Sequence, residues 1–236
     1  MPRPAIRAQR ALRWTDGTVE GTLAHRLRLR RFHFFRSLLA CVPRPLRILD
    51  VGGSVDFWRG MRFPSEPGIE VVVLNLDVQP AELPPYRLVR GDGRDMRQFG
   101  EQELDVVFSN SVIEHAGSVA DQRRMANEVQ RVGRRYFVQT PNYYFPIEPH
   151  FLFPGFQFLP TAVRVLLLQH FDLGDHARVP NAERARADVT SIQLLSSSEL
   201  QALFPGARIW RERIFGLSKS LVAYGGWESP CLGTAT

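Results

Sequence analysis

Five short apolar runs, Arg47–Val51, Glu70–Leu76, Tyr86–Val89, Leu104–Ser109 and Arg135–Thr140, constrain the fold of this chain more than any other feature. They are nearly continuous rather than alternating, which is the pattern of strands covered on both faces. Helical or loop stretches separate them. Ser118–Val132 reads as a helix, opened by Ser118 and Asp121 at capping-box spacing and ended by Gly133. Two further strands, Ala207–Phe215 and Ser218–Tyr224, are joined through Gly216 so closely that they must run antiparallel. The sum predicts an α/β chain with a Rossmann-like, doubly wound, mostly parallel sheet of seven strands, its final strand antiparallel.

Two stretches stand apart from that rhythm. Residues 1–45 form a basic N-terminal segment, mobile over 1–17 and helical over 18–41. Leu23, Leu27, Phe34 and Leu38 recur there at helical spacing, and Leu29, Phe32, Phe35 and Leu39 widen the stripe. Arg26, Arg28, Arg30, Arg31 and Arg36 fill the rest, as the solvated outer face of a helix that caps the domain, or as a basic surface for peripheral contact with an anionic membrane. Within 46–236, the stretch at about 141–190 is an insertion rich in Pro and aromatics, PNYYFPIEPHFLFPGFQFLP. It continues through a short apolar helix, Thr161–Phe171, and an aperiodic polar stretch, Asp172–Asp188, before Ser196–Glu199 opens a helix to Phe204.

Charge and cysteine content exclude some classes. The formal net charge is +6. Residues 1–47 hold 11 Arg against Asp16 and Glu20 (11 − 2 = +9), and the remainder holds 19 Arg+Lys against 22 Asp+Glu (19 − 22 = −3). The folded body is therefore slightly acidic, which argues against a nucleic-acid partner. No apolar run reaches the roughly 18 residues of a membrane span, and the start, MPRPAIRAQR, lacks a secretory apolar stretch. Cys41 and Cys231 match no metal spacing and read as free thiols, pointing to a cytoplasmic protein without a metal centre. Oligomeric state is left open.

Polar groups gather where the runs end. In LRILDVGGS the first run ends in Asp50, Gly52, Gly53 and Ser54; the second delivers Asn75 and Asp77, two apart and so on one side of a strand. The third is followed by Gly91-Asp92-Gly93, and the fourth ends in Ser109, Asn110 and Ser111, then Glu114-His115. In an open α/β sheet this carboxyl rim is where ligands bind. The dinucleotide fingerprint G-x-G-x-x-G fails, because Ser54 and Phe57 occupy the second and third glycine positions, and no Gly-Lys-Ser/Thr follows for a P-loop.

This order resembles the class I S-adenosylmethionine-dependent methyltransferases, in particular the type 11-like small-molecule branch. The resemblance covers roughly Leu46–Pro141. LDVGGS is similar to the family's first motif, which implies that Asp50, Gly52, Gly53 and Ser54 meet the methionine end of the cofactor. Asn75 stands where the family has an acid on the ribose, with Asp77 as the alternative. Asp92 and Gly93 resemble the adenine-contacting segment, and Asn110 and Ser111 the segment after strand four. Ser54 and Asp56 depart from the glycine pattern, and VDFWRGMRFPSEPG is too rich in Pro and Gly for a long first helix.

What the resemblance implies is methyl transfer to an oxygen or nitrogen of a small-molecule or lipid- or glycan-linked acceptor. A base assists such acceptors, and the candidates are His115, Glu148 and His150. The insertion's aromatics would wall the acceptor pocket. Two other readings stay open: a non-catalytic binding protein on this fold, favoured by Ser54 and Asp56, and a nucleic-acid methyltransferase that grips through the basic N-terminus.

Overall fold

The computed structural model describes residues 21–64 and 67–227. The expectations of a mobile 1–17 and a free Cys231 lie outside the described residues, while Cys41 is an exposed free thiol.

The strands are β1 (Leu46–Val51), β2 (Ile69–Asn75), β3 (Ala81–Leu83), β4 (Tyr86–Arg90), β5 (Val106–Asn110), β6 (Tyr136–Pro141), β7 (Arg208–Ile214) and β8 (Leu217–Gly225). They form one sheet in the order β3-β4-β2-β1-β5-β6-β8-β7. The core from β4 to β6 is parallel. β8 runs antiparallel to both β6 and β7. The predicted fold class stands, with eight strands instead of seven. The extra one, β3, is a three-residue edge strand antiparallel to β4. It carries no apolar run because an edge this short and exposed buries nothing.

Strand order reverses between β1 and β5, so the switch point of the sheet lies at their carboxyl ends. Successive residues of each strand point to opposite faces. Leu49, Val51, Val72 and Leu74 face the side covered by α3 (Val119–Val132) and α6 (Ser197–Leu203). Both helices open with a complete capping box, at Ser118/Asp121 and at Ser196/Glu199. Ile48, Val71, Val73, Phe108 and Phe137 face the other side, against α1 (Leu23–Leu39) and α2 (Val55–Gly60).

α1 settles which of its two sequence readings the apolar face serves. Phe32, Phe35, Leu38 and Leu39 are buried on the sheet. Burying Phe35 and Leu38 alone is worth about 3–6 kcal/mol, so this face belongs to the core. The reading of all five arginines as outward needs correction. Arg31 is buried and donates to Glu212 at 3.0 Å, and Glu212 also accepts from Ser220 at 2.8 Å. A charge at this depth is tolerated because it is paired and hydrogen-bonded.

The insertion folds around a small core of its own, with Phe151, Phe156 and Leu168 at its centre. α4 (Thr161–His170) packs there against α5 (Ala182–Thr190). α5 begins inside the stretch expected to be aperiodic and ends two residues beyond it. Its buried face consists of only Ala185 and Val189, too little apolar content to show as a period, and its start is set by Asn181 capping the Arg184 amide. No helix among the described residues is long and apolar enough to cross a membrane.

Candidate functional site

The site begins at the turn after β1. Asp50 is buried at the strand's end, with Trp58 Nε1 donating to its Oδ2 at 2.6 Å and no partner on Oδ1. Phe32 meets Phe57, Trp58 and Phe63 edge to face around this place, and Phe108 packs tilted against Trp58. Burial raises the Asp50 pKa to about 7, against the lowering effect of the Trp58 hydrogen bond.

The glycine pair answers first to demands inside the fold. Gly52 has φ +76°, and a Cβ there would meet Val112 at 2.6 Å. A Cβ on Gly53 would overlap the Asp50 carboxylate itself. The bare backbone thus lets the loop fold over Asp50 and under Val112. Ser54, where the family pattern has a glycine, caps α2 by accepting from the Phe57 amide at 3.3 Å, and Asp56 lies in the helix's first turn. α2 is six residues long, in line with the expectation of no long first helix.

Asn75 ends β2 and donates to Gly53 O at 3.0 Å, with Gly52 O at 3.4 Å. It holds the glycine loop from outside. Asp77 is exposed in the turn that follows and lines no described cavity at the rim, so the two residues do not share a strand face. The strand stops at Asn75, so period-2 reasoning does not extend to Asp77. Asp92 is gripped by Arg94, whose Nη2 donates at 2.6 Å and Nε at 2.9 Å. The hydrogen bond and charge of Arg94 lower the Asp92 pKa. Gly93 lies beside Val51, where a Cβ would not fit.

Two cavities meet along this rim. One, of about 610 Å³, includes Asp50, Gly53, Ser54, Asp56 and Asn110. The other, of about 300 Å³, includes Asp92, Gly93, Ser111, Val112 and His115. They share Gly52 and Asn75. Of the ten residues expected at a cofactor, only Asp77 lies outside these linings. Sequence reasoning passed over Trp58, Arg94 and Met125. Trp58 follows Asp50 by eight residues and shows no spacing that ties it to the acid; Arg94 had a visible signal in its i, i+2 spacing from Asp92.

The three candidate proton-handling residues are also brought together. His115 Nε2 and His150 Nε2 are 3.1 Å apart, and His150 Nδ1 lies 2.7 Å from Glu148 Oε1. Glu148 is buried and accepts from the Phe151 amide at 2.6 Å through its other oxygen. Burial and the neighbouring His150 lower the His115 pKa to about 4. Burial also acts to lower that of His150, but the hydrogen bond and charge of Glu148, with Glu114 and Asp175, outweigh it and the net shift is upward. Glu114 is buried, accepts from Thr140 Oγ1 at 3.0 Å, and burial lifts its pKa to about 7. Glu114, His115 and His150 each bring one ligand atom to within 4.8 Å of the others, a grouping that suits a cation as well as a hydrogen-bonded cluster.

Residues 64–136 match the family Methyltransf_11, described as a methyltransferase domain. The resemblance to class I S-adenosylmethionine-dependent methyltransferases therefore holds over that segment, and S-adenosylmethionine is the cofactor that it implies. Two curated Mycobacterium tuberculosis proteins, Rv1509 (strain H37Rv) and MT1557 (strain CDC 1551), are each 38% identical over 68 residues. That stretch is 29% of this chain and 23% of either relative. Among solved structures, a SAM-dependent methyltransferase from Aquifex aeolicus aligns over 84% of this chain and 90% of its own, at 11% identity and TM-score 0.48. One from Methanosarcina mazei aligns over 78% and 92%, at 11% identity and TM-score 0.47.

The rim fits such a cofactor on its own evidence. It offers a crevice of nucleoside size, a buried carboxylate oxygen without a partner in its lining, and bare backbone at its floor.

Proposed function

We propose that this chain, whose residues 64–136 carry the methyltransferase-domain signature, transfers a methyl group from S-adenosylmethionine to an oxygen or nitrogen of a small acceptor. The observation that carries the proposal is the pair of cavities joined at Gly52 and Asn75, set at the switch point between β1 and β5. Asp50, Gly52, Gly53 and Ser54 would hold the methionine end, Asn75 the middle, and Asp92, Gly93 and Ser111 the nucleoside end. S-adenosylmethionine supplies an electrophilic methyl on a sulfonium, so the protein's task is alignment and exclusion of water.

The base would come from the line Glu148–His150–His115. His115 is the member that lines the crevice, and its lowered pKa keeps the ring neutral and able to accept a proton at neutral pH. His150 lies behind it, and Glu148 fixes the His150 ring through Nδ1. The acceptor would lie under the loop from Asn142 to Pro160, beside Asn110 and Ser111. We place the protein in the cytoplasm, where the exposed thiol of Cys41 stays reduced. The test is calorimetric titration with S-adenosylhomocysteine, followed by methylation assays with candidate hydroxyl and amine acceptors. Tight binding without turnover on any acceptor would favour the non-catalytic reading, and RNA binding that falls steeply with salt would favour the nucleic-acid reading.

A further inference from the structure

Glu114, His115 and His150 meet from two separate parts of the chain. The first two lie on the turn Ile113–His115 that follows β5, and His150 belongs to the insertion. Glu114 Oε2 accepts from Thr140 Oγ1 at 3.0 Å, while Oε1 is buried with no partner among the described residues. A carboxylate oxygen in that position is costly alone and favourable beside a cation.

The two imidazoles are turned to suit the same ion. Glu148 Oε1, 2.7 Å from His150 Nδ1, accepts its proton, so the neutral His150 ring carries its lone pair on Nε2. That nitrogen lies 3.1 Å from His115 Nε2. Two nitrogens on one tetrahedral zinc, each at about 2.0–2.1 Å, lie about 3.4 Å apart, so the pair is already near the required spacing. One ligand atom from each of the three residues lies within 4.8 Å of the others. Glu148 behind His150 and Thr140 behind Glu114 are outer partners of the kind that fix metal ligands in orientation. His115 is exposed and lines the crevice of about 300 Å³, which gives a cation a way in.

We propose that Glu114, His115 and His150 bind a divalent transition metal of the zinc class, which ties the insertion to the sheet rim and withdraws His115 from proton transfer. Two imidazoles and one carboxylate favour such an ion over magnesium or calcium, whose ligands are oxygens. With Nε2 on the cation and the proton on Nδ1, the His115 ring has no lone pair left for an acceptor's proton. The site stands on side-chain geometry; only the withdrawal of the base rests on the methyl-transfer reading.

The test uses the full chain stripped of metal by a chelator. Zinc is titrated by calorimetry with magnesium as the control, cobalt absorption reports the coordination, and S-adenosylhomocysteine affinity is measured separately. The expected result is one zinc per chain, no comparable magnesium binding, the visible bands of four-coordinate cobalt, and a higher melting temperature with zinc. His115→Ala and His150→Ala should each weaken zinc by at least tenfold, and Thr140→Val by about 10–100-fold. Melting temperatures without zinc show that each variant folds. No zinc binding by the parent protein, or unchanged binding in both histidine variants, overturns the site. Once an acceptor is in hand, zinc should slow methyl transfer and a chelator restore it; zinc that speeds turnover overturns the withdrawal of the base. If zinc binds but S-adenosylhomocysteine does not, the metal site stands and the methyl-transfer reading falls.

Discussion

The indole N–H of Trp58 donates to the buried carboxylate of Asp50 at 2.6 Å, and it is the only partner that carboxylate has among the described residues. Removing it leaves a buried charge unsatisfied. Trp58→Phe should therefore cost at least about 1.5–3 kcal/mol at pH 8, the worth of a hydrogen bond to a charged group. The sign at low pH follows from linkage. The Asp50 pKa is raised from 3.8 to about 7, so the folded state binds its proton more readily and this group's stability contribution is present at low pH and lost as pH rises toward 7. At pH 5 the acid is already neutral in the fold, and the loss should be smaller. Urea unfolding of both proteins at pH 5 and pH 8 measures this; an equal loss at both pH values would mean that only packing was removed.

Gly53 lies directly over that carboxylate. Gly53→Ala forces the new Cβ into Asp50, so loop or acid must shift. We expect S-adenosylhomocysteine affinity to fall by tenfold or more, with a stability cost of about 1–3 kcal/mol from overpacking. Gly60→Ala is the control, since its Cβ would meet nothing within 4 Å. Calorimetry on both variants checks the contrast.

Glu148 lifts the His150 pKa against the effect of burial. Glu148→Gln removes the charge, so the His150 ring should titrate at lower pH than in the parent protein, as followed by histidine NMR. His115→Ala should slow methyl transfer by about 10²–10⁴-fold at neutral pH, the usual range for a lost general base. Loss of activity on chelation, restored by added zinc, would assign Glu114, His115 and His150 to a cation instead.

Glu114 is a second buried acid whose pKa burial raises, from 4.5 to about 7, and its Oε1 has no partner among the described residues. Its contribution is likewise favourable at low pH and lost as pH rises through about 7. Glu114→Gln keeps an oxygen for Thr140 and removes the ionisation. The variant should be more stable than the parent at pH 8, by about 1–3 kcal/mol at roughly 1.4 kcal/mol per pKa unit, and close to it at pH 4. Thermal unfolding across that range tests the crossover.

β1, β2, β5 and β6 were legible because apolar runs buried on both faces leave no polar alternation to confuse them; these four and the half-buried β4 lie within two residues of their expected bounds. The capping boxes at Ser118 and Ser196 were legible because both partners sit within one turn. What stayed hidden depends on distance in the chain. Arg31 looks like a solvated helix arginine until Glu212, 181 residues on, reaches it. His115 and His150 were each nominated singly, yet their contact spans 35 residues and the turn of an insertion. The first demand on the Gly52–Gly53 pair comes from Val112 and Asp50, contacts that only the folded chain makes.

We propose above that one crevice, floored by Gly52 and Asn75, binds an adenosyl sulfur compound. The most direct measurement is calorimetric titration of the full chain and of Asp50→Ala with S-adenosylhomocysteine, with melting temperatures recorded alongside. We expect one site in the parent protein, a stabilisation of about 2.7 kcal/mol at a hundredfold excess over the dissociation constant, and loss of binding in the variant. No binding by the parent protein, or the same affinity in both, would contradict it.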